Sequence, residues 1–295
     1  MIWTPPEYVA ELEGEGTTVC RIASAEGLRI ERFGPGAIIS HREREVRPEL
    51  IDRLDAWTTR AGIALDRIYE RQLVIGPGET DKPRPLRGDE LDSVLTVQEL
   101  GLRYEVDFLA GYSCGLFIDQ RQNRKYLLGL RPRRVLNTFS YTCAFSIAAA
   151  SVGAETLSVD LAKIALARGR RNLELNGIAP EGHRFIADDV LDVLPRLIRR
   201  GEKYDAIILD PPTFARGAKG RPFRVERDME KLLSLALEVG TPGGWILLST
   251  NASELQVRDL RSMARRQGCD RFHEEALPND LTHGPVSTTV WVQIP

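Results

Sequence analysis

The sequence predicts an α/β fold: a doubly wound, mostly parallel sheet that ends in an antiparallel pair of strands, preceded by a small α+β domain. Three observations predict it. Between Arg134 and Asp160 the chain reads as a strand, a tight turn of small and hydroxylated residues, an Ala-rich helix and a second strand ending in an acid. That is the βαβ order that binds adenosine-containing cofactors. From Arg134 onward, strand-length apolar runs alternate with helical periodicities, and parallel strands joined by helices require both sheet faces to be covered. The last two strands have no long helix between them, as an antiparallel end hairpin requires.

Length and charge bound the rest. At 295 residues the chain holds about two domains, taking roughly 100–200 residues per domain. Its 42% apolar and 28% charged residues exclude a disordered or fibrous protein. A net charge of −2 provides no global field toward nucleic acid, so any basic surface must be local. Cys20, Cys114, Cys143 and Cys269 form no CxxC pair, which is poor material for zinc or a disulfide framework and suits a reducing compartment. The start, Met1-Ile-Trp-Thr-Pro-Pro-Glu, has no basic and apolar export signal. The most apolar stretch, Ala144 to Ala154, is far short of the ~20 residues that cross a bilayer. A cytoplasmic enzyme with no membrane partner is expected.

In chain order, residues 1–95 form the first domain. Thr18-Val-Cys-Arg-Ile and Leu28-Arg-Ile-Glu-Arg-Phe alternate as strands, and Gly34-Pro35-Gly36 makes a turn. Leu50, Ile51, Leu54 and Trp57 fall at helical spacing within Arg47–Ala61, and Ile68–Val74 has strand character. The Gly- and Pro-rich run 76–88 reads as a linker or long hairpin loop. Residues 96–295 form the second domain. It opens with a hairpin over Leu95–Leu109 that turns at Gly101, followed by a segment in which Phe117, Asp119, Gln120, Arg121, Asn123 and Arg124 crowd together. Strands are then expected at Val135–Phe139, Thr156–Val159, Arg184–Ile186, Tyr204–Leu209, Trp245–Ser249, Asp270–His273 and Thr288–Ile294. Helices are expected at Phe145–Val152, Leu161–Asn176, Val190–Arg200, Glu226–Glu238 and Ser253–Gln267.

The chemistry sits at the strand ends. After the first strand the turn must bring backbone N–H groups close to a ligand. Here it reads Ser140-Tyr-Thr-Cys-Ala with no glycine, so a dinucleotide pyrophosphate is poorly cradled. A cofactor without phosphate, such as S-adenosylmethionine, tolerates small non-glycine residues. Asp160 ends the second strand, where an acid takes both ribose hydroxyls, caps the helix that follows, or does both. Asp188 and Asp189 end the third strand, placed to accept from an adenine amino group or to cap the next helix. The most specific short signal is Asp210-Pro211-Pro212-Thr213-Phe214. Its prolines stiffen the backbone, Asp210 presents a carboxylate, and Phe214 offers a ring on which a planar base stacks.

Together, the cofactor unit, Asp-Pro-Pro-Thr-Phe and the upstream Phe117-Ile-Asp-Gln-Arg-Gln-Asn-Arg resemble the class I S-adenosylmethionine-dependent methyltransferases related to the bacterial ribosomal-RNA large-subunit methyltransferases I and K/L. The resemblance runs from about Glu99 to the C-terminus. It implies a seven-stranded Rossmann-like methyltransferase sheet with a terminal antiparallel hairpin, S-adenosylmethionine as cofactor, and a nucleobase in ribosomal or other large RNA as acceptor. It also implies that Ser140, Tyr141 and Thr142 line the methionine part, that Asp160 holds the ribose, and that Asp189 or Asp188 reads the adenine. Asp210, Pro211, Pro212 and Phe214 would face the target, with Asp210 also at the cofactor, while Phe117, Asp119, Gln120 and Arg121 would close over it. Asn137 stands where many relatives have Asp, and Cys143 and Ala144 stand where they have two glycines. The 5-methylcytosine branch carries a nucleophilic cysteine after the fifth strand, because carbon methylation needs covalent attack on the ring. This chain reads Ser249-Thr-Asn-Ala-Ser there, so methylation of a base nitrogen is favoured.

Two basic stretches qualify as local RNA surfaces. Arg216 to Arg227 combines five cations with Phe223 and glycines, and Arg121, Arg124, Lys125, Arg131, Arg133 and Arg134 form the other. A charge run is also an ordinary solvated face. The competing expectations are a methyltransferase for a small molecule or protein, and a non-catalytic cofactor binder or a dinucleotide enzyme.

Overall fold

Alternating strands in the first part of the chain build a sheet of their own. The structure is a computed structural model that describes residues 1–43, 45–73, 83–88, 93–110, 113–216 and 222–295. It divides into two compact units, Met1–Arg121 with Leu277–Pro285, and Gln122–Ala276 with Val286–Pro295. In the first, β1 (Ile2–Trp3), β2 (Val19–Ala25), β3 (Leu28–Phe33), β4 (Gly36–His41), β5 (Arg67–Gln72) and β6 (Arg84–Arg87) hydrogen-bond in that order. Helices α1 (Pro6–Gly14) and α2 (Pro48–Ala61) each start on a proline, whose fixed φ and missing N–H cost nothing in a first turn. Val9, Leu12, Leu50, Leu54 and Trp57 bury against Ile22, Ile30 and Ile39 of the sheet. Of the expected linker, β6 is a strand and residues 76–82 lie outside the described residues.

The boundary expected at residue 95 is corrected. The hairpin β7 (Val94–Glu99) and β8 (Leu102–Asp107) belongs to the first unit. Thr18 donates its backbone N–H to the Gln98 carbonyl at 2.9 Å, Leu100 N–H donates to Thr17 Oγ1 at 2.9 Å, and Phe108 stacks on Tyr69 at 4.8 Å. A lone two-stranded hairpin is marginal in water. These contacts supply its second layer.

The second unit runs α3 (Arg121–Leu130, whose first residue closes the first unit), β9 (Arg134–Thr138), α4 (Ala144–Ser151), β10 (Glu155–Asp160), α5 (Lys163–Leu175), β11 (His183–Ala187), α6 (Val190–Arg199) and β12 (Tyr204–Leu209). It continues with β13 (Phe214–Arg216), β14 (Pro222–Arg224), α7 (Val225–Glu238), β15 (Gly240–Thr250), α8 (Val257–Arg266), β16 (Phe272–His273) and β17 (Thr288–Gln293). The large sheet has the order β11-β10-β9-β12-β15-β17-β16. Strands β11 to β15 pair in parallel, and β17 runs antiparallel to β15 and β16.

Alternate residues divide between the two faces of this sheet. Leu136, Ile207, Leu209, Ile246 and Leu248 pack with α6, α7 and α8. Val135, Ala206, Ile208 and Leu247 pack with Leu127 of α3 and with Phe145 and Ala149 of α4. Fully burying each such Leu or Ile contributes about 1.5–3 kcal/mol, which explains why these strands are apolar on both faces. Among the described residues, no helix is long and apolar enough to cross a membrane.

Candidate active site

The strand order reverses between β9 and β12. From β9 the chain proceeds to β10 and β11 on one side, whereas β12 and β15 lie on the other. Ligands of open parallel sheets bind at such a switch point, beyond the carboxyl ends of the strands. The register makes this specific: Thr138 of β9 is the Cα partner of both Val159 of β10 and Leu209 of β12. The next residue of each strand is therefore in one row: Phe139, Asp160 and Asp210. Two acids from separate motifs thus flank the first turn.

That turn is held in an uncommon backbone conformation. Phe139, Tyr141 and Cys143 have φ of 50°, 46° and 64°, the left-handed region that suits glycine and costs other residues about 1–2 kcal/mol each. Asp160 holds it in place. Its Oδ2 accepts from Tyr141 N–H and its Oδ1 from Ala162 N–H, both at 2.8 Å. The expected helix cap is not formed: α5 starts from Ala162 with no side-chain cap, and Asp160 bonds the amide of that residue ahead of the helix. Ser140 N–H donates to the Val159 carbonyl at 3.0 Å, and the Thr142 carbonyl accepts from Asn172 Nδ2 at 3.1 Å. Ser140 and Thr142 are buried and Tyr141 is half-buried.

Behind the turn, Cys143 packs against Gly169 of α5, where an added Cβ would lie 2.5 Å from the Cys143 sulfur. A glycine inside a helix is legible as a close approach, and this one was not singled out. Asn137, expected among the cofactor ligands, is 1% exposed. Its Nδ2 donates to Ser146 Oγ at 2.9 Å, and Ser146 in turn bonds Ser158 Oγ at 2.8 Å. It therefore fastens α4 between two strands, and its effect on the turn is one of position.

Asp189 caps α6, accepting from Leu191 N–H at 2.9 Å through Oδ1, and is buried. Asp188 accepts from Asp189 N–H at 2.8 Å through Oδ1 and pairs through Oδ2 with Arg196. Of the two alternatives left open at this strand end, helix capping is the one seen in the contacts of Asp189. Arg196 was missed because its partner is eight residues away, ahead of the helix that carries it.

Phe117, Asp119, Gln120 and Arg121 fall in the first unit. Phe117 is exposed, Asp119 is half-buried in the short turn Ile118–Gln120, and Gln120 is buried. Arg121 was expected to close over the cofactor. Its guanidinium is 1% exposed, pairs with Asp280 and donates to the Val19 carbonyl at 3.0 Å. A buried guanidinium needs such partners. Of the basic stretch around it, Lys125, Arg131 and Arg133 are exposed. Arg124 is 1% exposed, and Arg134 lies over the Tyr204 ring at 5.1 Å and 3.5 Å from Glu202.

Past β12, Asp210 is half-buried, Pro211 is buried and Pro212 is exposed. Phe214 is 52% exposed on β13. Strands β13 and β14 form a hairpin where only a loop was expected, with Phe214 the partner of Arg224. Phe223 anchors it, its ring centroid 5.8 Å from that of Phe139 at the start of the cofactor turn. Residues 217–221, the middle of the expected basic loop, lie outside the described residues.

All four cysteines are buried. Burial pushes the Cys20 and Cys114 thiols up to about 12 and Cys143 up to about 11, and raises Cys269 as well. The one cysteine at the turn is thus a neutral packing group.

The family model of S-adenosylmethionine-dependent methyltransferases matches residues 65–284. The chain belongs to this family. YwbD of Bacillus subtilis strain 168, whose name describes a ribosomal RNA large subunit methyltransferase, is 31% identical to this methyltransferase, covering 91% of this chain and 71% of its own length. The ribosomal RNA large subunit methyltransferase I of Aeromonas salmonicida strain A449 is 36% identical over 84% of this chain and 64% of its own length. The methyltransferase therefore spans about two thirds of these curated relatives. Among solved structures, SMU.776, described as a methyltransferase complexed with SAH, has a TM-score of 0.81 at 26% identity, covering 100% of this chain and 83% of that one. S-adenosylmethionine is the cofactor, and the site fits it. A phosphate-free ligand matches a turn without glycines, and Asp160 stands at the second strand end with both oxygens placed by backbone amides.

Proposed function

We propose that this methyltransferase modifies a nitrogen of a nucleobase in ribosomal or other large RNA. The observation that carries the reading is that Asp210 follows β12 beside the cofactor turn after β9, and that the hairpin bearing the exposed Phe214 is anchored to that turn through Phe223 on Phe139. Bound S-adenosylmethionine supplies an electrophilic methyl group. Asp160 holds the ribose, and Ser140, Tyr141 and Thr142 receive the amino-acid part. Asp188 and Asp189 border the adenine side. Pro211 and Pro212 fix φ after β12, so the Asp210 carboxylate is held without a mobile backbone.

Asp210 would accept the N–H of the base through a carboxylate oxygen and turn the nitrogen lone pair toward the methyl group; as the N–C bond forms and the sulfonium S–C bond breaks to leave a thioether, the N–H proton would pass to Asp210. Phe214 supports the ring by stacking. Nitrogen is favoured over cytosine carbon because the latter needs a thiolate nucleophile, and the four cysteines are buried. The names of the relatives support ribosomal RNA as acceptor. A cytoplasmic location belongs to the same reading.

The test is Asp210→Ala. The variant is expected to bind S-adenosylmethionine with unchanged affinity by calorimetry while methyl transfer falls by roughly 10²–10⁴. Turnover at the unaltered rate would refute the role.

A further inference from the structure

We propose that Arg224 is the second jaw of a planar clamp that, with Phe214, grips the acceptor base. The proposal rests on the RNA-base reading above and adds a specificity-determining residue to it. Phe214 and Arg224 face each other across the hairpin β13–β14. The guanidinium carbon lies over the phenyl ring, 5.8 Å from its centroid, and both side chains are exposed. Their backbone is fixed from three directions. Arg224 N–H donates to Asp228 Oδ2 at 2.9 Å, Val225 N–H donates to the Thr213 carbonyl at 3.2 Å, and the neighbouring Phe223 is 5% exposed.

The guanidinium is left for a ligand. Asp228, which accepts the Arg224 backbone N–H, is occupied by Arg227 at 2.9 and 2.7 Å. Among the described residues no carboxylate pairs with Arg224. Atoms in contact stack about 3.5–4 Å apart, so a base between two planar groups needs about 7 Å. The guanidinium carbon and the ring centroid are 5.8 Å apart, so rotation of two exposed side chains is enough to bring the planes to that spacing. Aromatic rings and guanidinium planes are the two surfaces on which proteins stack splayed-out RNA bases. Such a clamp has no hydrogen-bonding preference of its own. It holds any unpaired base and presents its edge, so discrimination falls to Asp210, and the acceptor nucleotide must leave its helix first.

The experiment measures methyl transfer from S-adenosylmethionine to total ribosomal RNA by the full chain and by Arg224→Gln, Arg224→Lys and Arg224→Tyr, at several salt concentrations. Gln and Lys are both expected to raise the apparent KM for RNA roughly tenfold, because neither supplies a stacking plane of that kind. Tyr, planar and uncharged, is expected to recover most of the loss, which a merely structural role does not allow. Affinity for S-adenosylmethionine stays constant. If Lys matches the unaltered chain while Gln lowers the salt slope by about one, Arg224 contacts phosphate and the clamp is overturned. Variants that all match the unaltered chain overturn it as well. Failure of the unaltered chain to label any RNA removes the RNA reading itself, and the clamp with it.

Discussion

Asp160 shows how one side chain does two jobs here. Its carboxylate oxygens each accept a backbone N–H at 2.8 Å, from Tyr141 in the turn and from Ala162 ahead of α5. Asp160→Ala leaves both amides without that partner and removes the brace on a left-handed residue. The expected result is a loss of about 1–3 kcal/mol in stability by urea unfolding, together with weaker cofactor binding by calorimetry. A variant of unaltered stability would show that the brace is not needed. At this scale the sequence was informative about place, putting Asp160 and Asp210 at the strand ends where they lie. It was silent where one type serves equally for packing and for binding. Asn137 and Arg121 read as ligands through the family resemblance, whereas the contacts that the fold gives them, to Ser146 and to Asp280, were not legible.

At the scale of elements, the cofactor turn depends on the approach of α5. The missing Cβ of Gly169 makes room for Cys143, with distances of 2.5 Å to the sulfur and 2.9 Å to the Cys143 Cβ from the position it would occupy. Gly169→Ala therefore overpacks the helix against the turn. It is expected to cost about 1–3 kcal/mol and to weaken cofactor binding. Cys143→Gly removes the obstructing atoms and relieves the φ of 64°. In the double variant it should restore most of the loss, giving a coupling energy above about 0.5 kcal/mol in a double-mutant cycle. Additive effects would contradict the contact. Elements of the large sheet were legible because their apolar runs and helical spacings are strong. β12 was expected and found at Tyr204–Leu209, and α6 begins at Val190 as expected. The hairpin β13–β14 was not legible. Its strands are three residues each, and cations and glycines there read as a loop.

For the whole molecule, burial of thiols sets an alkaline limit on stability. Unfolded cysteines lose their protons near 9.0, whereas burial holds Cys143 neutral to about 11 and Cys20 and Cys114 to about 12. The folded chain then binds more protons than the unfolded one, so this stabilisation is complete below pH 9.0 and is lost as pH rises through the folded values. Each thiol contributes a slope of up to about 1.4 kcal/mol per pH unit in that window. Urea unfolding on either side of pH 9.0 checks it, and a flat alkaline limb would contradict it. At this scale the two-part organisation was legible, but its boundary was not. Nothing in residues 96–121 or 277–285 announces membership of the first unit, because it is expressed in long-range contacts such as Arg21 N–H to Asp280 Oδ2 at 3.1 Å. The central claim is RNA base methylation, and its most direct test is transfer of labelled methyl from S-adenosylmethionine to purified ribosomal RNA, naked and assembled, followed by nucleoside analysis. The account predicts label on a base nitrogen. Label on a ring carbon, or none on any RNA by a chain that binds the cofactor, would contradict it.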